Sequence, residues 1–202
     1  MVEYITWLKA LAALLITNSH LGGIYPLESL ATGSLLGNLI FFAVSGFCLY
    51  NIKLPFISWY WRRLTRIYPA VWCITALCIA VGTYHVSSWQ HALQLFFYPT
   101  YYHFIASILI LYVPFYFVAR HANSCSNPAR FILTVVVLLT ITYIFCYILA
   151  FDYSYYHIDT VEEPMILFAY FVAMLMGAKI VLLAWFFHVS IAKMLICLHQ
   201  EK

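Results

Sequence analysis

Charge is what this sequence has least of. Lys, Arg, Asp and Glu together make up 8% of the 202 residues, whereas a water-soluble domain carries about a quarter. Hydrophobic residues fill 65% of the chain, more apolar surface than a protein folded in water could bury, so lipid must solvate most of it. With ten Lys and Arg in all, no segment offers the electrostatic footprint that nucleic acid requires. The six cysteines form no CxxC pair and no secreted-type framework. They read as small apolar packing residues. Met1 to Tyr4 lacks a basic region and Lys9 interrupts the first apolar run, so no cleavable signal is expected. Internal repeats and low-complexity segments are also missing.

What the chain has is long hydrophobic runs. Those able to cross about 30 Å of hydrocarbon fall at residues 5–24, 34–52, 70–86, 103–119, 131–151 and 164–183. The expected fold is therefore all-α: a polytopic helix bundle forming a single membrane domain over residues 1–202. Pro114 in the fourth run predicts a kink. The stretch from Pro164 to Leu198 would reach about 50 Å as one helix, too far for one crossing. Either it turns near Gly177-Ala178-Lys179 and crosses again, or its end lies along the membrane surface. Six spans are expected, a seventh stays open, and 179–202 is a tail of two alternative placements.

The few charges are sorted. Lys53, Arg62, Arg63, Arg66, Arg120, Arg130 and Lys179 follow the second, fourth and sixth runs. The other connections hold Glu28, Asp152, Asp159, Glu162 and Glu163 and no Lys or Arg. Basic residues stay on the cytoplasmic side, which predicts a cytoplasmic N-terminus. It also places "WYWRRLTRIYP", residues 59–69, at the inner interface, where the arginines are a topology signal and the aromatics an interfacial belt. Guanidinium groups also hold phosphate oxygens in pairs, and Arg63 and Arg66, three apart on a helix, share a face.

Two ionisable residues interrupt the first run. Lys9 and His20 are eleven positions apart, about three helical turns, so they lie on nearly one face some 16 Å apart along the axis. Lys9 can snorkel to the inner interface. His20 has a shorter reach; it either bonds a neighbouring helix or acts as a base or group carrier. A cationic site inside, a base toward the outside and a bundle between them describe group transfer across a membrane. Intramembrane Lys and His equally suit a small-solute or proton transporter. His85, His91, His103 and His157 lie on or near the outer side without the tight spacing of a zinc motif, so no metal is expected.

Four segments, in order, carry a resemblance. They are "YITWLKALAALLITNSH" with Lys9 and His20, "FFAVSGFCL" at 41–49, "FISWYWRRLTRIYPA" with Arg63 and Arg66, and "YYHFIASILILYVPFYF" with Tyr112 and Pro114. This set resembles the membrane-bound acyltransferase-3 family, which includes bacterial enzymes that O-acetylate surface polysaccharides. The resemblance covers roughly residues 3–178. It implies a donor, acetyl-CoA or another acyl-CoA, on the cytoplasmic side, and as acceptor a hydroxyl of a glycan or glycolipid. It assigns His20 the base or acyl-relay role, Lys9 the place where the family has arginine, and Arg63 and Arg66 the donor contacts. Lysine at position 9 keeps the charge but loses the planar fork. A multi-pass protein of the bacterial inner membrane is implied. The family's membrane domain usually has more spans, so a short or truncated member is expected. Such a member either works with a protein partner supplying further helices or is an inactive paralogue acting as a membrane partner.

Overall fold

The computed structural model describes residues 3–97, 103–149 and 165–180. Among these every regular element is a helix. Seven α-helices follow in order: α1 (Glu3–Ser19), α2 (Ser34–Leu49), α3 (Phe56–Ala80), α4 (Trp89–Phe96), α5 (His103–Ala122), α6 (Pro128–Tyr143) and α7 (Met165–Ile180). A π-helical turn, Ile144–Leu149, prolongs α6. The helices α5 and Pro128–Cys146 are long and apolar enough to cross a membrane, and α2 and α7 are apolar but shorter. The expected count of six spans exceeds these two. The other four are α2 and α7, which are shorter, α1, which includes Glu3 and Lys9, and α3, whose first half includes three arginines.

Several boundaries differ from the sequence reading. The first helix stops at Ser19 rather than near residue 24, and a short 3₁₀ turn at Gly22–Ile24 follows. His20 therefore stands in the turn just past α1, not inside it. Pro69 does not separate the basic segment from a span: α3 runs 25 residues straight through it. Proline costs the helix one backbone hydrogen bond, and the aromatic packing of the preceding turns holds the helix across that gap. Pro114 likewise lies within a continuous α5. α7 is unbroken through Gly177-Ala178-Lys179, so the chain does not turn there. Residues 181–202 of the tail and His157 lie outside the described residues.

The chain forms two compact units. The first comprises Met1–Asn51 and Val118–Lys202. Its helices approach at glycines, where the lack of a side chain lets two backbones come close. Gly37 of α2 faces Ile16 and the Ala12 carbonyl of α1, and a methyl group there would sit 2.8 Å from the Ile16 side chain. Gly46 of α2 lies against the Met174 backbone of α7, and Gly177 of α7 against the Ala43 carbonyl. N-terminal to this crossing, Phe42 stacks on Tyr170 with centroids 4.4 Å apart, and Asn38 bonds the Tyr170 hydroxyl. Tyr143 stacks on Phe168 at 4.5 Å and brings α6 to α7.

The second unit, Ile52–Phe117, is held by rings. Trp59, 3% exposed, packs against Tyr112 at 5.6 Å and Tyr116 at 5.3 Å. Phe56 meets Tyr116 and Phe117 at 5.1 and 5.4 Å. Two phenols tie α5 to the chain before and within α3: Tyr116 donates to the Leu54 carbonyl at 3.0 Å, and Tyr60 to the Leu109 carbonyl at 3.2 Å. The Trp72 indole N–H caps the end of α4 by donating to the Phe96 carbonyl at 2.7 Å.

Candidate active site

The basic segment occupies the first half of α3, and packing against α5 splits it. Trp59 faces inward, and Arg63, one turn on, follows it. The Arg63 guanidinium carbon lies 5.3 Å from the centre of the Trp59 ring, a cation–π contact. Its Nε is buried and has no hydrogen-bond partner among the described residues. Burial lowers the Arg63 pKa below the ordinary arginine value; Tyr112 works against that fall, while Arg66 and Arg62 add repulsion. The group stays charged, because arginine begins far above neutral pH. Arg66 and Arg62 are exposed. Arg63 and Arg66, expected to share a face, therefore differ in surroundings: one is half-buried against an indole, the other is open.

Lys9 and His20 belong to the first unit. Lys9 is exposed, although at positions 5, 9 and 12 it falls between the buried Ile5 and Ala12 along one side of α1. His20 is exposed, and its backbone N–H bonds the Thr17 carbonyl at 3.0 Å. No hydrogen bond to its imidazole is made among the described residues. The two residues stay about three turns apart, as their spacing demands.

The loop that holds His20 has an organiser that sequence reasoning passed over. Asn18 Nδ2 donates to the Leu30 carbonyl at 2.8 Å and to the Thr32 carbonyl at 3.0 Å. The Tyr25 hydroxyl donates to Asn18 Oδ1 at 2.7 Å. One amide thus ties the middle and the far end of the 20–33 connection to α1, with His20 two residues from the knot. A second overlooked group is Asn38, whose Nδ2 donates to the Tyr170 hydroxyl at 2.7 Å while its Oδ1 is buried without a partner. An asparagine inside the apolar "LLGNLIFF" was the signal for it. No group of three or more His, Cys, Asp or Glu gathers into a metal-holding cluster among the described residues.

Chemically, the first unit offers an exposed imidazole at a helix end, and the second offers three guanidinium groups within five residues. Comparison with known proteins gives this arrangement a context. The profile of a family described as an acyltransferase domain matches residues 2–199. Neither the curated proteins nor the solved structures returned a match. The family match runs through α1, the basic segment and α7, nearly the whole of the sequence. The chain belongs to the acyltransferase-3 family.

Proposed function

We propose that this chain is a membrane-bound O-acyltransferase that moves an acyl group, acetyl foremost, from cytoplasmic acyl-CoA to a hydroxyl of a glycan or glycolipid. The observation that carries the reading is the acyltransferase match across residues 2–199. The membrane setting draws support from the apolar composition and from the length and apolarity of α5 and of Pro128–Cys146. On this reading the N-terminus is cytoplasmic and the protein sits in a bacterial inner membrane.

In the proposed reaction His20 takes the proton from the acceptor hydroxyl. The freed oxygen attacks the thioester carbonyl, the C–S bond breaks, and the CoA sulfur leaves as a thiol with the proton returned from His20. The covalent variant carries the acyl group on the imidazole between two such steps. Arg66 contacts the anionic donor, Arg63 adds its positive charge from the packed side of α3, and Lys9 stands at the family's arginine position.

Labelled acetyl-CoA and the purified full chain test the donor half of this reading. Saturable binding is expected in the wild type and lost in Arg63→Ala/Arg66→Ala, with membrane insertion intact. Unchanged binding in a correctly inserted double variant rejects the donor role.

A further inference from the structure

The second unit has an unbalanced charge that its own residues cannot answer. No Asp or Glu occurs between Glu28 and Asp152. Residues 52–117 therefore hold Lys53, Arg62, Arg63 and Arg66 and not one carboxylate. Within this unit only aromatic packing and solvent answer these cations.

Packing decides which guanidiniums an external anion can reach. Along the first half of α3, Trp59 is buried, and Tyr60, Arg63, Leu64 and Ile67 are half-buried. Trp61, Arg62, Thr65, Arg66 and Pro69 are exposed. Exposure recurs every four residues, the mark of one outward helix face, and puts Arg62 and Arg66 one turn apart on it. Thr65 turns its hydroxyl proton inward onto the Arg62 carbonyl at 3.3 Å and so adds no donor to that face. Arg63 is instead drawn toward the Trp59 ring with its Nε buried, so it cannot present a full fork to solvent.

We propose that Arg62 is a donor-binding residue: Arg62 and Arg66, one turn apart on the exposed face of α3, hold a phosphate group between them, and Arg63 anchors that face from the packed side. Two guanidinium forks side by side match a phosphate monoester or diester, whose oxygens accept several charge-assisted hydrogen bonds at once. Two sources carry that chemistry at an inner interface: the phosphates of acyl-CoA and the headgroup of an anionic lipid. The first rests on the donor reading above. The second stands without it.

The test uses the full chain and the variants Arg62→Gln, Arg63→Gln and Arg66→Gln. One arm measures binding of labelled acetyl-CoA in phosphatidylcholine nanodiscs across a salt series. The other measures retention of phosphatidylglycerol against phosphatidylcholine in detergent. Thermal unfolding of each variant accompanies both. Arg62→Gln and Arg66→Gln are each expected to weaken acetyl-CoA binding by about tenfold or more. Both should flatten its salt dependence and leave the unfolding temperature unchanged. Arg63→Gln is expected to lower the unfolding temperature. Arg62→Gln that binds within about twofold of wild type, while Arg66→Gln loses binding, overturns the pairing. A wild type that ignores acetyl-CoA removes the donor reading, and the lipid arm then decides. Loss of phosphatidylglycerol in both Arg62→Gln and Arg66→Gln keeps the pair as a lipid-phosphate site; retention in either overturns it.

Discussion

The two units solve helix association differently. In the first, backbones touch: Gly46 meets Met174 and Gly177 meets Ala43, and there is no room at either place for a β-carbon. In the second, side chains keep the backbones apart, and Trp59, Phe56, Tyr112 and Tyr116 fill the space with rings. The first arrangement fits a hydrocarbon solvent, where close van der Waals contact is the main attraction left. The second fits an interface, where amphipathic aromatics bury a ring and spend a hydroxyl or a π-face on a polar partner, as Tyr60, Tyr116 and Trp59 do. The lesson is that one unit cannot accept an added atom and the other cannot lose a ring.

That contrast can be broken from either side. The largest expected effect is in the aromatic unit: Trp59→Ala empties a fully packed site and is expected to cost about 3–5 kcal/mol of stability. It also strips the surface on which Arg63 rests. Circular dichroism melting in detergent reads the loss, and Trp59→Phe should recover most of it. Next comes the glycine unit. Gly46→Leu forces α2 and α7 apart, with an expected cost of about 1–3 kcal/mol from overpacking. A melting temperature equal to wild type for Gly46→Leu would mean that the helices do not meet backbone to backbone. Smaller still is Asn18→Ala, which removes three hydrogen bonds and leaves two carbonyls and a phenol to water. A loss of about 1–2 kcal/mol is expected. Hydrogen exchange confined to the 20–33 connection, with α1 and α2 still protected, is the signature that separates a loop tie from a core contact.

How much of this the sequence disclosed depends on the kind of interaction. The helical fold, the family and the order of the apolar segments follow from composition and from four short motifs, all local features of the chain. Gly46 was also legible as a packing residue, because a small residue in so apolar a helix lets another backbone come close. Boundaries set by tertiary support were not legible. Pro69 reads as a breaker, yet α3 passes through it because Trp59, Tyr60 and Phe56 hold the preceding turns against α5. The Asn18 tie joins residues 12 and 14 apart, a distance no periodicity encodes. Among the site residues, Arg63 and Arg66 look equivalent at a spacing of three. What separates them is the side of α3 that Tyr112 covers, and that is decided by another helix. The one sequence signal that pointed further was an absence: no carboxylate between Glu28 and Asp152 to neutralise the arginines.

The central claim is acyl transfer by His20, and a transfer assay meets it most directly. Membranes bearing the wild-type chain or His20→Ala are supplied with radiolabelled acetyl-CoA, and alkali-labile label in the glycan and glycolipid fraction is counted. The account predicts labelling by wild type and a fall to background in His20→Ala at equal protein level, with acetyl-CoA binding preserved. Equal labelling by wild type and His20→Ala would contradict it.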